Sequence, residues 1–345
     1  MPMKEANAGT PLAKAGYPHL ASLIEIPEEP MVMRPNPRSF LTGADPFFNS
    51  TVLDSSPDRS VEEIAFDLRH EGFIGIPHGG LGMGLCLDAW RKIGEPRYPV
   101  DVRFRFGGSG ILIGDSAEFV VERAANGRSV VASITKIGDK TPYVKAEITP
   151  AAHLDVVAFE EPPAADFRSL PYYRNCFVCG HHRSITGLQR RFRVHGENGA
   201  VMVTTPWGYD PNDYDRAASF LIGEDELHPA VLISIFDENT AWGGFMATRS
   251  CGLSVRVEFK LLRPVLRSEK LLFVSRPSGI RGNPKAPRFF LAEGTVFSMA
   301  DAGHPEPVAT GRGEWLIVDH YTKQIQKNLL PEGDWQWIFA DEENG

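Results

Sequence analysis

Two segments of the chain are apolar on nearly every side of a helical wheel: GFIGIPHGGLGMGLCLDAWRKIG (72–94) and HPAVLISIFDENTAWGGFMA (228–247). A helix of that kind must be buried on most sides, so each predicts a core helix rather than a surface one. After the first, the pattern switches to two-residue alternation or β-rich runs at 100–106 (VDVRFRF), 114–124, 127–137 and 142–150, which predicts four strands. The second is preceded by strand-like runs at 187–196 and 199–207 and followed by four more, at 252–265, 269–277, 287–300 and 307–318. Helix then four strands, twice over, predicts an α+β chain in which a curved antiparallel sheet wraps each long helix.

The two passes share landmarks. His78 and His228 are 150 residues apart, and VRFRF from Val102 and VRVEF from Val255 are 153 apart, the near-constant offset of an internal duplication. It divides the chain into a Pro-, Gly- and Ala-rich arm (1–44), a first unit (45–157), a Pro- and Glu-rich linker (158–173), a second unit (174–318) and a tail (319–345). Trp335, Trp337 and Phe339 of the tail are expected to pack back onto the body.

Composition narrows the function classes. The 36 Lys+Arg against 44 Asp+Glu leave a net charge of −8, and no basic run exists of the kind that neutralises nucleic-acid phosphates, so no nucleic-acid partner is expected. No stretch reaches the roughly 18 uninterrupted apolar residues of a spanning helix, so no membrane is expected either. Residues 1–15 lack the apolar centre of a secretory signal, and a cytoplasmic location is the expectation. Four cysteines, Cys86, Cys176, Cys179 and Cys251, are too few and too scattered for a disulfide framework.

The densest chemistry lies where Pro77-His78-Gly79-Gly80 opens the first helix. Glycine lets another group approach the backbone, and the first amides of a helix have no intrahelical partner and sit at the positive end of its dipole. Such a turn forms an oxyanion site, or else merely lets the helix pack tightly. It is not a dinucleotide fingerprint: after Gly80-Leu81-Gly82 the third glycine falls at Gly84, where the pattern requires it at the position of Leu85, and no crossover helices follow. Cys176-Phe177-Val178-Cys179-Gly180 forms a tight turn or half of a zinc site, which His181, His182 or Cys251 would have to complete. No metal and no cofactor is expected. Arg263, Arg281, Lys285 and Arg288 are either solvated loop residues or phosphate contacts.

Pro77-His78-Gly79-Gly80 opening a buried helix, followed by antiparallel strands, resembles a hotdog-fold acyl-CoA thioesterase. NCFVCGHHRSITGLQRRFRV, HPAVLISIFDENTAW and LSVRVEFKLLRPV are similar to the phenylacetate-degradation type branch of that superfamily. The likeness is loose over 45–150 and good over 172–318. It implies a double hotdog, an acyl-CoA or related thioester as substrate, no cofactor, and further association into a homodimer or trimer. It also implies an active site shared between two units. The amide after the His of one helix polarises the thioester carbonyl, and a carboxylate nine residues after the equivalent His on the other helix is nucleophile or base.

Carried onto this chain, the two halves are unequal. Gly79 follows His78, but the ninth residue on is Leu87, with Asp88 one place later; the ninth residue after His228 is Asp237, but Pro229 stands in the glycine's place. Proline has no N–H to donate. The expectation is a single composite site, with the Gly79 amide assisted by Gly80 as oxyanion hole, His78 holding the turn and Asp237 as base or nucleophile. Asp88, about 100° further round its helix than Leu87, and Glu238, its counterpart, point elsewhere. A π-bulge among the nearby glycines would let Asp88 substitute. Asn239 and Thr240 are candidates for orienting water, and Arg263, Arg281, Lys285 and Arg288 for holding the CoA phosphates. The alternatives are a hotdog hydratase or dehydratase, disfavoured by Ile93 and Trp242 standing five residues after Asp88 and Asp237, and a non-catalytic binder of acyl-CoA or a small aromatic ligand.

Overall fold

The computed structural model describes residues 50–73, 75–94, 97–107, 110–151, 156–159, 167–183, 187–196, 201–217, 220–299, 305–331, 335 and 337–339. The N-terminal arm expected at 1–44 and residues 160–166 of the linker lie outside them. The chain is α+β. Its helices are α1 (Gly79–Ile93), α2 (Pro211–Ala217), α3 (Pro229–Thr248) and α4 (Asp319–Gln326). Both segments predicted to be helical are so, and the Pro/His-led entries of 72–78 lie outside α1.

One antiparallel sheet of thirteen strands runs through both halves. Its order is Ser50–Ser56, Arg59–Ala65, Ser116–Arg123, Val130–Lys136, Val144–Pro150, Val100–Phe106, Gly252–Leu261, Pro305–Ile317, Ala286–Met299, Leu271–Asn283, Met202–Trp207, Arg193–His195 and Phe167–Ser169. The seam is the pairing of Val100–Phe106 with Gly252–Leu261, in which Phe104 opposes Val257 and Val102 opposes Phe259. The four strands predicted after each helix are present. The run 187–196 is a strand only over Arg193–His195, because its first residues tie back to the CxxC turn: the Leu188 and Arg190 N–H groups donate to the Phe177 and Val178 carbonyls at 2.8 and 2.7 Å. The hairpin of Ser50–Ser56 and Arg59–Ala65 and the short helices α2 and α4 are additions to the predicted pattern.

The long helices cross antiparallel, and glycine sets how closely. A Cβ on Gly80 would lie 2.3 Å from the Ser234 Cα, and one on Gly84 would lie 2.3 Å from the Ala230 Cβ. These glycines therefore serve helix packing; α1 is an uninterrupted α-helix, and the π-bulge that would have re-aimed Asp88 is absent. Each helix also packs on the strands of its own half. Between sheet, neighbouring helix and loops, nearly all of α3 from Pro229 to Phe245 is buried, which accounts for its apolar circumference. Among the described residues no helix is long and apolar enough to cross a membrane.

The tail returns to the body. Thr322 on α4 accepts the Cys251 N–H at 2.9 Å, Tyr172–Tyr173 pairs with Leu329–Leu330, and Phe339 packs edge-on against Phe245 with ring centroids 5.4 Å apart.

Candidate active site

Both long helices begin with the same device. His78 Nδ1 accepts the Gly80 N–H at 3.1 Å, and His228 Nδ1 accepts the Ala230 N–H at 3.1 Å. Each imidazole thereby satisfies one of the orphan amides of a helix start. The antiparallel crossing then sets each ring against the carboxylate ten residues along the other helix. His78 Nε2 lies 3.2 Å from Glu238 Oε2, and His228 Nε2 lies 3.6 Å from Asp88 Oδ2.

The two ends differ in the space beside them. At the α1 start a cavity of about 460 Å³ is lined by Gly79, Asp237, Glu238, Cys176, Ser254 and aromatic side chains including Phe106, Tyr143, Trp242, Phe290 and Trp315. At the α3 start the space is about 10 Å³, closed by Leu87, Trp90, Arg91, Tyr98, Pro229 and Leu261. Asp88 lines that small space and forms an ion pair with Arg91, its Oδ1 2.9 Å from Nε.

Asp237, 6% exposed, reaches across to the other helix. Its Oδ2 would be 3.2 Å from a Cβ on Gly79, a tight approach that the bare glycine avoids. Ser254 donates to Oδ1 at 3.0 Å. That serine stands at an irregularity in the register of Gly252–Leu261 against Pro305–Ile317, a common means of re-aiming one side chain. Burial pushes the Asp237 carboxyl above its ordinary range, and the hydrogen bond from the Ser254 hydroxyl opposes burial without overcoming it. The Gly80 N–H is taken by His78 Nδ1. The Gly79 N–H has no partner among the described residues and is the donor left for a ligand.

Glu238 and Cys176 complete the wall. Cys176 donates from Sγ to Glu238 Oε2 at 3.1 Å and accepts the Val178 and Cys179 N–H groups at 3.3 and 3.4 Å. The turn that carries it is tight because Gly180 has no side chain: a Cβ there would lie 2.5 Å from the Cys176 carbonyl oxygen. The Phe177 N–H, donating to Glu71 O at 2.7 Å, anchors it to the first half of the chain. His78, Cys176 and Glu238 present ligand atoms within 4.8 Å of one another, a set metals accept. The helix cap opposes metal binding there: while Nδ1 accepts the Gly80 N–H, the neutral ring carries its proton on Nε2, the atom a metal would take. Burial disfavours the imidazolium, yet Cys176 and Glu238 outweigh it and draw the His78 pKa up to about 10. A proton on Nδ1 would set two donors face to face at the cap, and the cap geometry decides for the neutral ring.

Several predicted residues lie elsewhere. Asn239 bonds to Thr205, Ser275 and the Val203 carbonyl, and Thr240 donates to the Phe236 and Asp237 carbonyls. Asn239 thereby holds α3 to the sheet, the Thr240 hydroxyl bonds back within α3, and neither residue lines the cavity. Arg263 pairs with Glu269 and Glu306, Arg281 with Glu314, and Arg288 lies over the Phe289 ring. None of these three, nor Lys285, lines the cavity. Ser254 and Tyr143 were not anticipated; no motif marks them. Glu238 was expected to point away, but because α3 passes over the start of α1, adjacent carboxylates flank that turn on two sides.

No protein-family model matches the chain, and no curated protein does. Among solved structures, an inactive mutant of the CurJ dehydratase is similar at 13% identity and a TM-score of 0.51, over 81% of this chain and 99% of that one. The dehydratase domain of the CurF module of the curacin polyketide synthase is similar at 14% and 0.50, over 78% and 97%. A tesB protein of Mycobacterium avium subs paratuberculosis aligns at 14% and 0.48, over 77% and 96%. An acyl-CoA thioesterase II of Mycobacterium marinum aligns at 16% and 0.44, over 78% and 96%. The neighbours are thus hotdog-fold thioesterases and hotdog dehydratase domains, and at these identities the first two carry the inference of fold alone: this chain has the hotdog fold.

Proposed function

We propose that the chain is a double hotdog, with units at 45–157 and 174–318, that hydrolyses an acyl thioester at one composite site. The observation that carries this is the meeting of an unpaired Gly79 N–H and the buried Asp237 carboxylate at the wall of the larger cavity. A thioester carbonyl needs a fixed donor for the negative charge that develops on oxygen and a base for the attacking water. The first comes from α1 and the second from α3. The cavity is apolar and falls within the roughly 300–1,000 Å³ of small-molecule sites, which suits an aliphatic or aromatic acyl group. The acyl-CoA and tesB-type thioesterases among the aligned structures agree with that substrate class.

In the proposed reaction the carbonyl oxygen takes the Gly79 N–H, and water held by Asp237 attacks the carbonyl carbon as its proton passes to the carboxylate. The thiolate leaves and is protonated. Ser254 holds the carboxylate in place.

The test is free-thiol release from short, medium, long and aromatic acyl-CoAs, with Asp237→Asn and Asp88→Asn beside the wild type. Loss of turnover only in Asp237→Asn supports the composite site. Loss only in Asp88→Asn transfers the chemistry to the small cavity and ends the proposal. A second reading, loss of water from a 3-hydroxyacyl thioester, is favoured by the buried His78–Glu238 pair beside the cavity; enoyl absorbance without thiol release would select it. Binding without either reaction would identify a ligand-binding protein.

A further inference from the structure

Cys176 is a nucleophile that the hydrolytic scheme leaves idle. It is 4% exposed, yet it lines the same cavity as Gly79 and Asp237. Its Sγ has a base in contact, Glu238 Oε2 at 3.1 Å, and two N–H groups directed at the sulfur, from Val178 at 3.3 Å and Cys179 at 3.4 Å. A thiol needs that pairing to act: a group that removes its proton and donors that stabilise the thiolate left behind. His78, 3.2 Å from the same carboxylate oxygen, keeps its proton on Nε2 through the helix cap and so supports the glutamate instead of competing for the thiol proton.

The other end of the helix pair serves as an internal control. His228 and Asp88 form the same histidine–carboxylate pair, but no cysteine lines the small space beside them. The pair therefore belongs to the helix crossing, and the cysteine is what the cavity end adds. Burial raises the proton affinity of the Glu238 carboxyl, which suits it to take the thiol proton in the step below.

Taking the cavity as a thioester site, we infer that Cys176 accepts the acyl group from the substrate, forming a Cys176 S-acyl intermediate at the cavity wall. The Sγ–carbonyl carbon bond forms and the substrate's carbon–sulfur bond breaks. The thiol proton passes to Glu238 Oε2 and from there to the departing thiolate, so one thioester and one thiol become another thioester and another thiol with no change of oxidation state. The Gly79 N–H serves the oxyanion in this step as well. Water activated by Asp237 then releases the acid, and a second thiol reaching the cavity would make the same site an acyltransferase.

The experiment mixes the full-length chain and its Asp237→Asn variant with octanoyl-CoA or benzoyl-CoA, quenches in acid, and reads intact mass and peptide maps. Asp237→Asn should accumulate one acyl group per chain on Cys176, removed by neutral hydroxylamine as a thioester is. Cys176→Ser, which keeps an acceptor for the Val178 and Cys179 N–H groups, should form no such adduct and should release CoA about a hundredfold more slowly or worse. Cys179→Ala should keep the adduct, since its part is a main-chain N–H. If wild type releases CoA while Asp237→Asn stays unmodified and Cys176→Ser turns over normally, the inference fails and the hydrolytic proposal stands. No release and no adduct removes both. Stoichiometric zinc in the purified chain, lost in Cys176→Ser, also overturns the inference, because a metal thiolate is not a free nucleophile. Should Cys176→Ser fail to fold, octanoyl-CoA protection of wild-type Cys176 from iodoacetamide, with the acyl group on that peptide, decides the matter.

Discussion

Asp237 is kept in an unfavourable place. Burial raises its proton affinity, and the hydrogen bond from Ser254 only partly compensates. As the base of the proposed reaction it must be ionised, so turnover should rise with pH along a limb displaced above the ordinary carboxylate range. Ser254→Ala removes a hydrogen bond that favours the ionised form, and kcat/KM measured against pH should show that limb moved further alkaline. Asp237→Asn should lower turnover about 10²- to 10⁴-fold. Stability should move the other way. A carboxyl whose folded pKa is raised binds its proton more tightly folded than unfolded. Its contribution is therefore complete below the ordinary value of 3.8 and is lost as pH rises through the raised one. Urea unfolding at neutral pH should accordingly show Asp237→Asn to be more stable than wild type and its stability less dependent on pH.

The helices show which features of a sequence carry architecture and which carry position. His78 and His228 cap their helices identically, and His78→Ala and His228→Ala should each cost about 0.5–2 kcal/mol in urea unfolding. Only the first should also impair turnover, because only α1 starts at the larger cavity. Gly84→Ala should destabilise by about 1–3 kcal/mol through overpacking against Ala230, despite alanine's better helix propensity, and differential unfolding of the two proteins measures it. The long helices and the central strands were legible in the sequence because their periodicities extend over whole elements. His78 was marked by its repeat at His228, whereas Gly79 and Asp237 were reached only through the resemblance, because their counterparts 150 residues away are Pro229 and Leu87. The strand content of 187–192 was not legible, since it is decided by main-chain bonds from Leu188 and Arg190 to Phe177 and Val178 in the CxxC turn. Nor was Glu238: the rotation separating neighbours on a helix does send it to another side of α3, but the α1 entry and the CxxC turn together occupy both sides. The basic residues of the hairpin formed by Leu271–Asn283 and Ala286–Met299 looked like phosphate ligands by charge. Sequence gave no means of seeing that Glu314 would take Arg281, or that Glu269 and Glu306 would take Arg263.

At the scale of the whole molecule, the two ends of the helix pair have matching caps and matching histidine–carboxylate pairs, and one cavity of useful size. A duplicated chain can lose a site by changing its chemical residues or by filling its space, and on the proposed reading this chain has done both. Leu87 and Pro229 replace the carboxylate and the N–H donor, and the volume left beside them is about 10 Å³ against about 460 Å³ at the other end. The smaller volume is about that of one water-sized probe, too little for an acyl group. Residue identity and space can be separated experimentally. Leu87→Asp with Pro229→Gly restores the chemical groups but leaves Trp90, Tyr98 and Leu261 against the gap. Introduced into Asp237→Asn, where the first site is silent, the double substitution should give no thiol release from octanoyl-CoA. Recovered turnover would mean that the two residues alone had closed the second site. If the filled space closes it, truncating Trp90 and Tyr98 in that background is the change that should admit substrate, and equilibrium binding should then rise from one acyl-CoA per chain to two.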